Sequence, residues 1–310
     1  MQIPKALAGV PANRVRLLAW LIPAALVLAV VVVLAAKGVR ALPGVQGFLL
    51  EYPGRSEPPA GTPVGFPLWL NWQHFLNSFF LVFIVRTGWE LRQKKRPAAF
   101  WTRRNDGMIR TKNPPVRIGV PLWLHLVVDA FWVLNGVIYV VLLFATGQWL
   151  RVVPTTWDVF PNAISAGLQY ASLVWPLENG WVNYNALQQL SYFVTIFLAA
   201  PLALITGLRL SPGLAARFRG IDRVFPLAAA RAIHFPVMIY FVGFVIVHVF
   251  LVLTTGAQRN LNHMYAGRDD SSWLGVAFFA ASIVVMVVAW VLAKPAALAD
   301  LAEKSGRVRR

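Results

Sequence analysis

Residues 231–256 read RAIHFPVMIYFVGFVIVHVFLVLTTG, an apolar run that contains His234 and His248. A helix of this length can cross a bilayer core of about 30 Å, because an α-helix rises about 1.5 Å per residue. The spacing of the two histidines puts both imidazoles on one helix face, about 21 Å apart along the axis. The stretch therefore predicts a membrane helix with one histidine near each end.

Apolar runs of similar length recur along the chain. Of its 310 residues 58% are hydrophobic and 13 are tryptophan, and the mean hydropathy is +0.60. This composition excludes an ordinary soluble domain. Each span is predicted to be an α-helix, because backbone polar groups in lipid must be satisfied within their own segment. The predicted spans are residues 17–40, 67–89, 119–146, 187–209, 232–255 and 272–293.

The distribution of charge predicts how these helices are oriented. The formal net charge is +17, and most Lys and Arg residues fall in alternate extramembrane segments. Cytoplasmic loops are rich in Lys and Arg, so both termini are predicted to be cytoplasmic. The basic segments are expected to face anionic lipid, and nucleic acid is not expected as a partner. They are the N-terminus, 86–117, 209–231 and 294–310, whereas 41–66, 147–186 and 256–271 are predicted to lie outside.

Four histidines lie at matched depths in the predicted helices. His74 and His248 would lie near the outer face, and His125 and His234 near the inner face. The chain has no cysteine, which excludes iron–sulfur clusters and covalently attached haem. Two imidazoles are a common ligand set for haem iron. The pattern predicts two noncovalent haem b groups, the outer one held by His74 and His248 and the inner one by His125 and His234.

Other roles for these histidines remain open at this point: another metal site, a proton path or a structural role. A single metal site cannot include both His234 and His248, because helix length keeps them far apart. Proton paths normally contain several buried carboxylates, and Asp129 is the one acidic residue well inside a predicted span. The alternatives to a haem protein are thus a proton-conducting transporter and a membrane anchor without haem.

Asp129 follows His125 by one helical turn, so the two side chains share a helix face. It is the candidate proton-transfer residue for a quinone, and a hydrogen bond to Asn135, Gln188 or Gln189 is the alternative. His263 lies just outside the outer face, where a loop or partner contact is expected.

Cations near the two faces are candidate partners for haem propionates. Arg117 and Arg231 lie close in sequence to the inner histidines and are assigned to the inner haem. The outer candidates are Arg55, Arg151 and Arg259. For each arginine the alternative is an interfacial anchor.

From His74 onward the chain resembles the membrane subunits of bacterial di-haem cytochromes b that serve formate dehydrogenase, nickel-iron hydrogenase and thiosulfate reductase. The similar stretches are WLHLVVDAFWVLNGVIYVVLLFATGQW (123–149) and the run 231–256, and the resemblance covers about residues 67–295. In that family four consecutive helices carry one, one, no and two histidines, as the second to fifth spans do here. The resemblance implies a four-helix haem-binding bundle in the bacterial inner membrane. It also implies electron transfer between a quinone or menaquinone and a partner oxidoreductase.

The segments TGQWLRVVPTTWDVFP (146–161) and RNLNHMYAGRDD (259–270) are similar to those of cytochromes that associate with molybdopterin oxidoreductases. This resemblance implies a periplasmic or membrane-associated partner of that kind. The chain departs from the family in an extra first helix, which turns the core the opposite way from the formate dehydrogenase subunit. It would be the electron-transfer subunit of a quinone-linked complex, and whether it is an enzyme by itself is left open.

The predicted architecture is thus an all-α, six-helix transmembrane protein with a four-helix haem-binding bundle as its core. Residues 1–66 are predicted to form the extra helix and an outer loop, and residues 67–295 the di-haem cytochrome b domain. Residues 296–310 are predicted to form a basic cytoplasmic tail.

Overall fold

The structure, a computed structural model, describes residues 12–93, 95–106, 110, 114–175, 179–213 and 220–310. The described chain is mostly helical, and six helices are long and apolar enough to cross a membrane. The predicted all-α, six-helix fold is therefore confirmed, and the chain is a multi-pass membrane protein. Parts of the predicted N-terminal segment and of the basic loops, such as residues 1–11 and 214–219, lie outside the described residues.

The six spans are Ala19–Arg40, Leu68–Arg92, Val120–Ala145, Ala186–Leu210, Leu227–Thr254 and Leu274–Leu292. Within the fourth span, a π-helical turn at Thr195–Ala199 joins two α-helical parts. In chain order the helices are α1 (Ala12–Arg40), α2 (Pro43–Glu51), α3 (Leu68–Arg92), α4 (Val120–Ala145), α5 (Val159–Ala171), α6 (Ala186–Val194), α7 (Ala200–Leu210), α8 (Ile221–Val224), α9 (Leu227–Thr254), α10 (Ala257–Leu261), α11 (Leu274–Leu292) and α12 (Pro295–Glu303).

Proline and glycine mark the ends of α4. Pro121 is in its first turn, where the missing N–H costs no helical hydrogen bond. Gly147 follows the helix with φ of +74°, a left-handed conformation that glycine adopts without a steric penalty. These residues explain why the helix bounds agree with the predicted span to within one residue.

The chain forms two compact units, and the smaller one contains α1, α2, α5 and the first half of α6. Arg40 Nη1 donates to Ser172 Oγ at 2.8 Å, which ties α1 to the end of α5. The backbone N–H of Gly54 donates to Asn162 Oδ1 at 2.9 Å. Most of the apolar side chains of α1 whose burial is described are exposed, as expected where lipid is the solvent, whereas Ala36 is buried.

The larger unit contains the remaining described elements and all four membrane histidines. Helix α3 packs against α4, and α7 packs against α9. One buried cluster forms where α3, α4 and α12 meet, and it includes Phe83, Trp123 and Leu124. Another joins Ala199 to Val237 and Phe241 of α9.

A small antiparallel sheet lies beside the first of these clusters. Its strands are β1 (Phe100–Arg103), β2 (Arg117–Gly119) and β3 (Gly306–Arg309), in the order β2-β1-β3. Trp101 in the central strand pairs with Ile118 and with Val308. The segment predicted to be a basic tail is thus folded into α12 and a strand. Strands of three or four arginine-rich residues carry too short an apolar alternation to be recognised in sequence.

Candidate functional site

The four membrane histidines lie in two pairs within the larger unit. The rings of His74 on α3 and His248 on α9 have centroids 6.2 Å apart, with planes inclined at 53°. The rings of His125 on α4 and His234 on α9 have centroids 6.4 Å apart, with planes inclined at 80°. The two histidines of each predicted pair, the outer pair His74 and His248 and the inner pair His125 and His234, are therefore neighbours in space.

Helix positions explain this arrangement. His74 lies in the second turn of α3 and His125 in the second turn of α4. The C-terminal part of α3 contacts His125, so the two helices run antiparallel and carry their histidines at opposite ends. Helix α9 supplies His234 near its start and His248 near its end. Each pair thus joins α9 to one neighbouring helix.

The ring spacings fit one metal ion between the two members of each pair. An imidazole nitrogen binds a transition metal at about 2 Å, and it lies about 1.1 Å from the centre of a ring with bonds near 1.35 Å. Two imidazoles on opposite sides of one ion would then have centroids about 6.2 Å apart, close to both observed distances. No group of three or more His, Cys, Asp or Glu among the described residues could hold a metal ion. Each pair therefore brings two imidazoles within reach of one metal ion.

Threonine hydroxyl groups contact both inner histidines. Thr87 Oγ1 lies 2.7 Å from His125 Nδ1, and Thr206 Oγ1 lies 2.8 Å from His234 Nδ1. Because these contacts use Nδ1, Nε2 is the ring nitrogen that remains for a metal ion. Neither threonine contact uses Nε2, and ligation of one metal ion by two imidazoles needs one such nitrogen on each ring.

A glycine follows each of these threonines and lies against the same imidazole. A side-chain β-carbon at Gly88 would lie 3.6 Å from His125 Cε1, and one at Gly207 would lie 3.4 Å from His234 Cε1. These are van der Waals contacts, so a larger side chain at either position would press on the ring. The dipeptide Thr-Gly thus packs in the same way against each inner histidine.

Asp129 lies beside His125, as its helical spacing predicts. Its Oδ2 atom is 3.5 Å from His125 Nε2, which is a contact rather than a well-formed hydrogen bond. This is the nitrogen that would bind a metal ion, so the carboxyl group and an ion would compete for it. Among the described residues no hydrogen bond joins Asp129 to Asn135, and Gln188 instead pairs with Asn185.

Aromatic rings surround the outer pair. Tyr265 meets the ring of His74 edge to face at 5.5 Å. Phe244 stacks on His248 at 5.5 Å with an interplanar angle of 6°, and Tyr192 meets the same ring edge to face. His74 Nδ1 is buried and has no hydrogen-bond partner among the described residues. The two pairs therefore differ in what holds their rings.

His263 lies outside both pairs. Its ring is buried between Phe66 and Trp181, with centroids 5.9 and 5.2 Å away. Its Nε2 atom is 2.7 Å from Asp269 Oδ1. Burial lowers the pKa of His263 below its usual value, although the neighbouring carboxylate acts in the opposite direction. The residue is a buried contact between segments that connect the membrane spans of this chain.

Arg151, predicted as a propionate partner or an interfacial anchor, is buried. Its side chain is 1% exposed and stacks over the ring of Phe66, with Cζ 4.7 Å from the centroid. It donates to the carbonyl of Gly65 at 2.7 Å and to that of Gly180. These contacts favour the anchor as the role of Arg151, and its assignment to a propionate stays a prediction.

The other predicted arginines are exposed. Arg117 lies on β2 with Cζ 4.2 Å from the centroid of the Phe100 ring. Arg231 lies in the first turn of α9, before His234. Arg92 stacks over Phe235, the residue after His234, with Cζ 3.6 Å from the ring centroid. No sequence pattern points to Arg92, because its closeness to α9 depends on how the helices pack.

The chain matches no protein-family model, no curated protein and no solved structure.

Proposed function

We propose that this chain is a b-type di-haem cytochrome that carries electrons across the membrane. In this proposal electrons pass between the quinone pool and a partner oxidoreductase. The observation that carries it is the pairing of four membrane histidines at ring spacings of 6.2 and 6.4 Å. A spacing near 6.2 Å is the one that two imidazoles on one metal ion would have, and it occurs near both ends of α9.

The chain's own residues would hold the haem groups and keep water away from them. His74 with His248 would hold one haem, and His125 with His234 the other. Arg117, Arg231 and Arg92 are cations at the end of the bundle that contains the inner pair. Haem iron, when bound, supplies reversible one-electron transfer, which no side chain in the bundle provides. The apolar helices around the pairs exclude solvent, and this favours tight noncovalent binding of porphyrin.

The partner is proposed from the resemblance to cytochromes of molybdopterin oxidoreductases, carried by residues 146–161 and 259–270. An inner-membrane location with cytoplasmic termini is proposed from the distribution of Lys and Arg. Quinone or menaquinone is proposed as the diffusible substrate, since both dissolve in the lipid that surrounds the spans.

Anaerobic reaction with a quinol tests this function. The purified full-length chain would be mixed with a menaquinol analogue in a stopped-flow spectrometer while the haem α band is followed. Rapid reduction of haem is the expected result. A protein that is reduced by dithionite but not by any quinol would contradict the link to quinone, and a protein without haem would contradict the whole proposal.

Replacing Asp129 by asparagine is expected to slow quinol-driven reduction by about 100-fold, because an amide keeps the shape but cannot take up a proton. Reduction by dithionite and the amount of bound haem should not change. Asn135→Ala, which removes another polar side chain from α4, is the matched control and should react like wild type. If Asp129→Asn matches wild type across pH, Asp129 has no role in proton transfer.

A proton path is the second candidate function, and the contact between Asp129 and His125 favours it. The two functions are distinguished by colour, since only the cytochrome contains haem. A colourless protein that dissipates a pH gradient in liposomes, and loses this activity in Asp129→Asn, would support the proton path.

A further inference from the structure

We propose that Thr87 and Thr206 are positioning residues that hold both inner imidazoles as Nδ1–H donors and lower the reduction potential of the inner haem. This inference rests on the proposed function, because it concerns ligands of a haem. It goes beyond that function because it assigns one shared role to Thr87 and Thr206, which lie far apart in the sequence. It also predicts that the two haems respond differently to mutation.

The hydroxyl hydrogens of both threonines are already used. Thr87 Oγ1 donates to the carbonyl of Phe83 at 2.7 Å, and Thr206 Oγ1 donates to that of Leu202 at 2.5 Å. A hydroxyl group has one hydrogen, so toward the imidazole each oxygen can only accept. With this assignment Nδ1 of each histidine carries the proton and Nε2 presents its lone pair.

A second backbone carbonyl beside each threonine leads to the same assignment. Thr87 Oγ1 lies 3.2 Å from the carbonyl oxygen of Ile84, and Thr206 Oγ1 lies 3.2 Å from that of Ala203. A carbonyl oxygen only accepts, so each hydroxyl group is again left to accept from the ring. Each carbonyl lies three residues before the threonine of its own helix. The same constellation of carbonyl, hydroxyl and glycine thus occurs on α3 and on α7.

The outer pair has a different environment. His74 Nδ1 has no hydrogen-bond partner among the described residues, and its ring is held by the edge of Tyr265. His248 is held by stacking on Phe244. Among the described residues, the inner histidines therefore have a threonine hydroxyl group at Nδ1, whereas His74 has no partner there.

A hydrogen bond from Nδ1–H to an oxygen makes Nε2 a stronger electron donor. A stronger donor stabilises ferric iron more than ferrous iron, so it lowers the reduction potential. Hydroxyl groups that also fix the ring orientation should strengthen haem binding, and loss of such supporting contacts typically weakens metal affinity about 10–100-fold.

The alternative is that each threonine serves only its own helix, since hydroxyl groups often bond to the carbonyl four residues earlier. Thr195 offers a matched control for this alternative. It forms the same kind of bond to Ser191, at 2.7 Å, but its second partner is the hydroxyl of Tyr240 rather than a histidine. Replacing Thr195 should therefore show the effect of losing such a bond within a helix, without removing a contact to His125 or His234.

The test is redox potentiometry of the full-length haem-loaded chain, with the inner signal identified by its loss in His125→Ala. Thr87→Val and Thr206→Val should each move the inner potential to more positive values and speed haem loss by about tenfold. The reduction potential of the outer haem and the rate at which it is lost should stay unchanged. Thr87→Ser and Thr206→Ser should restore the wild-type potential, and Thr195→Val should have no effect.

Unchanged inner potentials in both valine variants with two haems bound would overturn the inference, as would equal shifts of both haems. If valine removes the inner haem altogether, retention in the serine variants supports the role of the hydroxyl group, and loss in both overturns it. Absence of haem from the wild-type chain is a separate outcome, which overturns the proposed function itself.

Discussion

Replacing His248 by alanine is expected to remove the outer haem and leave the inner haem bound. Haem held by two imidazoles loses one of its two protein ligands in this variant, and the ring 6.2 Å away cannot replace it. The reduced-minus-oxidised spectrum should lose one component, and haem content should fall by half. His74→Ala should give the same remaining spectrum, because it belongs to the same pair.

Variants of the inner pair provide the complementary result. His125→Ala and His234→Ala should remove the other spectral component and spare the one lost in His248→Ala. His263→Gln is the matched control, since His263 is buried but lies in neither pair. If His74→Ala and His125→Ala removed the same component, the pairing would be wrong.

Replacing Arg151 by alanine is expected to destabilise the chain by about 3 kcal/mol, because two buried carbonyls would lose a charged donor. The stacking over Phe66 would be lost as well. Thermal unfolding in detergent should show a clearly lower transition temperature. This change acts on stability and should leave the spectrum of folded protein unaltered.

Arg268→Ala is the control for the loss of an arginine. Arg268 is paired with Asp270 at 2.9 Å, but its side chain is 56% exposed, so its removal should cost about 0–1 kcal/mol. Equal transition temperatures for the two variants would contradict the structural role of Arg151.

The spans were predictable because long apolar runs have few other structures available in a membrane. Which histidines lie close together was also predictable in part. Depth groups His74 with His248, since helices of the orientation predicted from charge place their ends at one face or the other. Which ring atoms the neighbours contact depends on helix rotation, and periodicity alone does not determine it.

Several features could not be read from the sequence for this reason. Thr87 and Thr206 look like ordinary helix residues until α3 and α7 are packed against their neighbours. The burial of Arg151 was not predictable, because the carbonyls to which it donates come from other segments of the chain. The strand β3 pairs with β1 across about 200 residues, and such pairing leaves no local signal.

The central claim is that the chain holds two noncovalent haem groups, and the haem content of the purified wild-type protein tests it most directly. We expect two haems per chain by pyridine haemochrome analysis, a b-type α band after reduction, and complete extraction into acid acetone. A folded protein with no haem would contradict the claim.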